Sequence, residues 1–252
     1  MKKYLSVFSL ITRESIYRLT LLWIVSAFAQ LACLTYNFYI DTNNSKLQLH
    51  SLSVERLFQS WNDSHISFVF YISLILFVLL LVKTGMEFHS KTGYTLRRLR
   101  ISENKVFILH GIYNSVTLLM FLVAEVFLFF IFVLVIKNYF PEEIISSQTL
   151  YKTFYRSDFI HGLFAGRDIL RAVRNVFAMS ALGFNLASFS TLIRRGKKWF
   201  PAVILIALFY FLYAEGAGLS QVAFDIIFTA ISVVFLITSI IYTVTRGEQY
   251  DR

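Results

Sequence analysis

The sequence predicts an all-α membrane protein with six transmembrane helices, an N-terminal amphipathic interfacial helix and both termini in the cytoplasm. The first observation is composition: the 252 residues are 57% hydrophobic and only 15% charged, whereas a soluble domain is about a quarter charged. The second is that the apolar residues form six long runs, as membrane-spanning helices of about 20 residues require. The third is the position of the positive charges between those runs.

Lysine and arginine are concentrated in every second gap between the apolar runs. A net charge of +9 is also found in nucleic-acid-binding proteins, so the location of the charges has to decide. Sixteen of the 24 basic residues lie at the two termini, between runs two and three, and between runs four and five. Acidic residues balance the other eight. This asymmetry follows the positive-inside rule, so it predicts topology and contact with membrane lipid and no nucleic-acid partner.

The elements are expected in the following order. Residues 1–16 carry apolar side chains at helical spacing opposite a polar face, which predicts an amphipathic helix in the cytoplasmic headgroup layer. Pro201 falls in the first turn of the fifth span, where its missing N–H costs little. The third apolar run is longer than a bilayer requires, so its helix should tilt or begin in the cytoplasm. The spans are expected at about residues 19–40, 66–82, 108–136, 172–193, 199–213 and 222–244.

The connections complete a single transmembrane domain over residues 1–252. Residues 83–105 form the longest and most basic cytoplasmic connection. Residues 137–170 form an external segment, in which scattered apolar residues suggest short helices on the outer surface. Spans five and six are compatible with one re-entrant pair, although the charges that flank them favour two crossings.

The sequence motifs of several enzyme classes are absent. There is no GxxxxGK[ST] loop for nucleotide phosphates, no HExxH zinc motif and no GxSxG nucleophile elbow. The single cysteine, Cys33, cannot form an internal disulfide, and no Cys/His spacing suggests a metal site. Glu142-Glu143 resembles the glutamate pair of one intramembrane protease family, but Ser147 stands where that family has arginine. We therefore expect a chain that is not an enzyme and binds no cofactor of its own.

Residues 85–105 carry the most distinctive pattern on the cytoplasmic side. Leu96 and Leu99 form an apolar edge, while Arg97, Arg98 and Arg100 remain in water. This pattern fits a short amphipathic helix across the mouth of the helical bundle. A basic loop held by anionic lipid fits the same residues equally well.

The segment resembles the cytoplasmic loop between spans two and three of type-2 ATP-binding-cassette (ABC) permeases. In that family an acidic residue leads a Gly/Thr pair, a leucine-rich short helix, a polar turn and an apolar restart. Here the Gly-Thr pair is reversed, and Ile101 occupies the usual proline position. The six spans and the preceding amphipathic helix match as well, so the resemblance covers the whole chain. The matching residues are Glu87, Thr92-Gly93, Leu96, Leu99, Ser102-Glu103 and the apolar run from Val106 to Leu109.

The resemblance implies the membrane-spanning permease subunit of an exporter in a bacterial cytoplasmic (inner or plasma) membrane. Two permeases, either identical or sister chains, would form a dimeric translocation path. A separate ABC ATPase subunit would use ATP and Mg²⁺ and would dock on the cytoplasmic loop. The residues implied to couple the permease to that ATPase are Glu87, Thr92, Gly93, Leu96, Arg97, Leu99 and Arg100.

Four polar residues inside the spans are candidates for the translocation path or for helix packing. They are Asn114, Glu125, Asn185 and Asp225. A charged Glu125 at mid-span costs several kcal/mol, so it must face protein or water. A hydrogen bond to a neighbouring helix is one interpretation, and a place in a substrate or proton path is the other. An intramembrane enzyme that uses Glu125 with Asn114 or a histidine, and a noncatalytic assembly or immunity factor, are the alternative functions.

The fourth span has small and polar residues along one helical face. Such a row is typical of helix–helix packing in membranes. Asp225, about one turn into the sixth span, is a candidate partner for the two arginines at the start of this row. The row consists of Arg171, Arg174, Asn175, Ala178, Ala181, Asn185 and Ser188.

Overall fold

The computed structural model of the chain describes residues 2–44, 64–98, 101–139, 158–163, 169–194, 196–197, 199–214 and 221–248. Within these residues every regular element is an α-helix, as predicted. The helices are α1 (Lys2–Asn44), α2 (Ile66–Arg98), α3 (Glu103–Tyr139), α4 (Asp158–Leu163), α5 (Ile169–Arg194), α6 (Pro201–Ala214) and α7 (Gln221–Glu248).

Five of the described helices are long and apolar enough to cross a membrane, so the chain is a multi-pass helical membrane protein. Their apolar parts are Ser15–Asn37, Ile66–Glu87, Glu103–Phe132, Ile169–Ile193 and Val222–Thr245. The helix expected as span five, α6, is strongly apolar but has only 14 residues. At 1.5 Å per residue it reaches about 21 Å, which is less than a hydrocarbon core of about 30 Å.

Two predicted boundaries differ from the structure. The separate helix expected at residues 1–16 is the beginning of α1, which continues unbroken to Asn44. Its apolar face packs on protein, since Val7 and Ile11 are buried in the core. The span expected to end at Val82 continues as helix to Arg98. Hydropathy marks where a helix leaves lipid, but polar residues such as those after Val82 do not end a helix.

The first three helices alternate in direction. Ser26 Oγ donates to Ser73 Oγ at 2.7 Å, and Arg18 lies 2.9 Å from Glu87, so α1 and α2 are antiparallel. The side chain of Phe121 on α3 packs on Phe70 and Phe77 of α2. The end of the bundle that carries Arg18 and Glu87 is called the basic end below.

Helix α5 is the centre of the bundle and contacts α2, α3, α6 and α7. Asn114 Nδ2 donates to Gly183 O at 3.3 Å, and Ser115 Oγ donates to Ser180 O at 3.3 Å, so α3 and α5 are antiparallel. A Cβ atom on Gly183 would lie 2.5 Å from the backbone nitrogen of Ser115. The absence of a side chain there allows the two backbones to meet, as is common in membrane helices.

Helices α5 and α7 are parallel, and this arrangement gives α6 its role. Arg174 contacts Asp225 near the beginning of both helices, while Thr243 Oγ1 donates to Ser188 Oγ at 2.9 Å near their ends. Two parallel helices that follow each other in sequence require a return path between them. Helix α6 lies on that path, because it packs against α4 beside the beginning of α5. The sequence before α6 lies farther along the bundle, where Trp199 stacks on Tyr242.

The end of α5 is set by a glycine. Gly196 has φ of 71°, a left-handed conformation that favours glycine. Its N–H donates to Ile193 O at 2.8 Å, and the next N–H, from Lys197, donates to Leu192 O at 3.0 Å. These two bonds form a Schellman motif, which satisfies carbonyl groups at the helix terminus. Helix α6 then begins at Pro201, in agreement with the predicted first turn.

Candidate functional site

A cluster of polar side chains lies between α1, α2 and α3, inside the predicted spans. Ser26 and Gln30 are one turn apart on α1, and both are buried with Ser73 of α2 and Glu125 of α3. Ser26 donates to Ser73, Gln30 Nε2 donates to Ser26 Oγ at 3.4 Å, and the Gln30 side chain hydrogen-bonds to the Glu125 carboxyl group. We call these four residues the Glu125 cluster.

Glu125 is the least satisfied member of this cluster. Its side chain is nearly fully buried, with 5% of the residue exposed. Gln30 contacts the carboxyl group, but Oε1 has no hydrogen-bond partner among the residues that the structure describes. A buried carboxyl oxygen without a donor is costly, so a ligand, a proton or water is the expected complement at this position.

An apolar groove of about 460 Å³ lies beside the cluster, between α1 and α3. Its volume lies within the roughly 300–1,000 Å³ of small-molecule sites. Aromatic side chains form much of its wall: Trp23 from α1, Phe77 from α2, and Tyr113 and Phe121 from α3. Exposed side chains on both long helices, such as Met120, mark its rim.

The groove and the Glu125 cluster follow the same helical stripes. On α3 the groove is lined at Tyr113, Thr117 and Phe121. The next position of that stripe, one turn farther, is Glu125. On α1 the lining continues from Trp23 toward Ser26 and Gln30 in the same way. The polar cluster therefore lies at the end of the groove that is farther from the basic end.

Two of the other predicted path residues have helix-packing partners. Asn114 donates to the α5 backbone at Gly183, while its Oδ1 has no partner in the described part of the chain. Asn185 donates to Phe235 O of α7 at 3.3 Å and accepts a bond from Trp199 Nε1 at 3.3 Å. These contacts join α5 to α3, to α7 and to the segment before α6. They favour the helix-packing interpretation for both asparagines.

The fourth predicted path residue, Asp225, belongs to a buried ionic cluster at the end opposite to the basic end. Its carboxylate contacts Arg174 Nη1 and lies 3.7 Å from Arg171 Nε. Arg174 also donates to Gly162 O of α4 at 2.9 Å and to Asn175 Oδ1. The predicted partnership of Asp225 with the two arginines is confirmed. Both arginines are buried at 4% exposure, so they are held by protein groups.

The packing row predicted on the fourth span is also confirmed. All seven of its residues are buried on α5, and its alanines and Ser188 are completely inaccessible. Asn114 and Glu125, which both lie on α3, contact different helices. Asn114 reaches α5, whereas Glu125 reaches α1. Their positions are eleven residues apart on α3, which corresponds to about 16 Å.

Five of the seven predicted ATPase-coupling residues lie on α2, from the basic end onward. Glu87 pairs with Arg18 of α1 at 2.9 Å and with Lys83 at 3.9 Å. The backbone of Thr92, Gly93, Leu96 and Arg97 is helical, but their side chains are not among those described. Leu99 and Arg100 lie outside the described residues, as does the Glu142-Glu143 pair.

One feature of the basic end was not predicted from the sequence. A Cβ atom on Gly85 would lie 2.5 Å from His110 Cε1 and 2.9 Å from Ser190 Oγ. Helices α2, α3 and α5 therefore meet tightly at Gly85, two residues before Glu87. A glycine inside an otherwise continuous helical segment is the sequence signal for such a close approach.

Comparison with known proteins gives no match. No protein-family model matches the chain, and neither the curated proteins nor the solved structures contain one that is significantly similar to it.

Proposed function

We propose that this chain is the membrane-spanning permease subunit of an ABC exporter in a bacterial cytoplasmic membrane. Two permease subunits form the translocation path, and a separate ATPase subunit drives it. The chain itself binds no nucleotide, in keeping with the absence of a phosphate-binding motif from its sequence.

In this proposal the chain crosses the membrane six times and has both termini in the cytoplasm. The parallel arrangement of α5 and α7 supports six crossings, because α6 has to return the chain between them. The short α6 then crosses a thinned or protein-lined part of the membrane, which is one way to accommodate a short helix. The distribution of lysine and arginine supports a cytoplasmic location of the basic end.

The observation that carries the proposal is the connection of the α2 extension to the rest of the bundle. Residues beyond Glu87 continue the second span as a helix that leaves the apolar region. At the base of this extension Gly85 packs against α3 and α5, and Glu87 pairs with Arg18 of α1. A displacement applied to residues 88–98 would therefore act on three spanning helices at once, as an ATPase-driven permease requires.

Copurification from native membranes tests this proposal. We expect mild detergent to extract the tagged chain together with an ATPase that contains a Walker motif. The double substitution Leu96→Asp plus Leu99→Asp should remove most of that ATPase and abolish transport, because it places two charges on the predicted apolar docking edge. Ser102→Asp is the control, because it adds charge to the same connection outside the docking edge. Ser102 O accepts hydrogen bonds from the backbone N–H groups of Lys105 and Val106 in the first turn of α3. Aspartate is favoured at such an N-cap position, so the substitution should not disturb the helix.

Two results would contradict the proposal. One is that no Walker-motif ATPase is recovered under any gentle extraction. The other is that the double variant retains both its ATPase and its transport activity. Cytosolic labelling of the α2 extension would test the topology separately.

The alternative functions have less support. An intramembrane enzyme needs a second reactive group at the depth of Glu125, and the polar partner that the structure describes for its carboxyl group is the Gln30 amide, which is bonded in turn to Ser26. If the chain were such an enzyme, Glu125→Gln would abolish turnover without any partner protein. A noncatalytic assembly or immunity factor would be excluded by ATP-dependent efflux from vesicles that contain the chain and its ATPase.

A further inference from the structure

The groove between α1 and α3 has an apolar aromatic wall, and a buried carboxyl group, that of Glu125, lies next to it in the chain, directly after the lining residue Ala124. Trp23, Phe77 and Phe121 line it, and Glu125 occupies the next turn of the α3 stripe. Membrane-embedded carboxyl groups are costly unless a cation or a hydrogen-bond donor accompanies them. The Glu125 cluster supplies only part of this complement, since Oε1 has no partner within the described chain.

We propose that the groove binds an organic cation with an apolar body, such as a quaternary ammonium or phosphonium compound that partitions into the membrane. The inference rests on the proposed function and extends it, since it names the class of cargo that this permease recognises. The apolar body occupies the aromatic part of the groove. The positive group lies toward Glu125.

Three physical arguments favour a cation over a neutral lipid chain. A cation offsets the cost of burying the Glu125 carboxylate, which a hydrocarbon chain does not. Aromatic rings attract cations through their ring quadrupoles, by up to about 2 kcal/mol where water is excluded, and Trp23 lines the groove two turns before Gln30. Glu125 also has no competing basic partner among the described residues. Arg18 of α1 is paired with Glu87 and lies about 18 Å along the helix from Gln30.

The accessible side of the groove is consistent with entry from the lipid. Its rim includes Ile16, Val116 and Met120, which are 53%, 46% and 66% exposed on helices whose apolar surfaces face the membrane. A ligand that has already partitioned into the bilayer would therefore reach the groove without passing through water.

Binding of two probes of the same shape and opposite charge tests the proposal. The purified chain is placed in nanodiscs of neutral phosphatidylcholine, and equilibrium binding of tetraphenylphosphonium and of tetraphenylborate is measured above the partitioning into empty nanodiscs. We expect the native chain to prefer the cation. Glu125→Gln, which keeps the shape of the side chain, should weaken cation binding at least tenfold without weakening anion binding. Glu125→Asp, which keeps the charge, should reduce the affinity for the cation less than Glu125→Gln does.

Two further variants locate the probe. Ala124→Phe should reduce binding of both probes, because Ala124 lines the groove while the carboxylate remains intact. Glu103→Gln, an exposed carboxylate on the same helix, should have no effect.

Each contrary outcome overturns the inference. Equal binding of the two probes to the native chain would indicate a groove that is filled by a lipid chain or by a second copy of the protein. Unchanged cation binding in Glu125→Gln or in Ala124→Phe would place the probe elsewhere. Because the assay uses no nucleotide and no partner, its failure leaves the ATPase copurification result unaffected, and a failed copurification leaves this result unaffected.

Discussion

The contacts of α5 with α3 and α7 and the contacts of α1 with α3 represent two ways of burying polar groups in a membrane. Two thirds of the most apolar part of α5 is buried, compared with about one fifth for α1. Around α5, Asp225 is paired with arginine, and Gly183 allows the helix backbones to touch. Beside α1 there is a groove, and Glu125 has a free carboxyl oxygen within the described chain. The comparison indicates that α5 holds the bundle together, whereas the α1 side carries the groove in which we propose that a ligand binds.

The same chemical change in the two regions should have opposite effects, and this is the largest difference that we expect. Asp225→Asn removes the carboxylate that Arg171 and Arg174 share in the protein interior. Loss of one partner from a buried ion pair costs about 3–5 kcal/mol, so the free energy of unfolding should fall by that order. Glu125→Gln removes a carboxyl group that has no cationic partner among the described residues, so stability should be unchanged or increased.

Unfolding of both variants in mixed micelles with increasing sodium dodecyl sulfate measures this difference. Asp225→Glu serves as the control, because it retains the charge and should recover part of the loss. If Asp225→Asn and Glu125→Gln destabilise the protein equally, the distinction between a structural and a ligand-binding carboxylate is wrong.

Enlarging a small side chain should give the second largest difference. Gly183→Ala brings a Cβ atom within 2.5 Å of the Ser115 backbone nitrogen, so α3 and α5 have to move apart. Overpacking of this kind costs about 1–3 kcal/mol. Ala124→Val adds more atoms but directs them into the groove, so its effect should be much smaller. The same unfolding assay measures both variants, and a greater loss at Ala124 would mean that the groove is closed in the native protein.

The sequence predicted one of these two regions better than the other. The partnership of Asp225 with Arg171 and Arg174 follows from charge and depth, since three ionisable groups near the same end of two spans must compensate one another. The small residues of α5 likewise indicate packing directly. The contact of Glu125 with Gln30 could not be predicted in this way, because it depends on which helices are neighbours. Ser26 and Gln30 were visible as polar residues in an apolar run, but nothing local assigns their partners.

The boundaries at the basic end were missed for a different reason. Hydropathy reports where lipid ends, and it placed the end of the second span at Val82. Whether the helix continues depends on the backbone and on tertiary support. Gly85 is held by close packing on His110 and Ser190, and Glu87 by Arg18, so the helix is stabilised beyond the apolar run. The same argument applies to α1, whose first four turns are held by the burial of Val7 and Ile11 and by the contacts of Phe8 and Ser15 with Tyr113.

Hydroxyl pairs should show the smallest effect and the least difference between the two regions. Ser26 donates to Ser73 beside the groove at 2.7 Å, and Thr243 donates to Ser188 between α5 and α7 at 2.9 Å. Hydrogen bonds between membrane helices contribute about 0.6 kcal/mol on average, because an unfolded chain in the membrane also finds partners. Double-mutant cycles with Ser26→Ala and Ser73→Ala, and with Ser188→Ala and Thr243→Val, should therefore give similar couplings of this size. Equal coupling energies would mean that the two regions differ in packing and in charge alone. A much larger coupling energy between α5 and α7 would mean that neutral hydrogen bonds also distinguish α5 from α1.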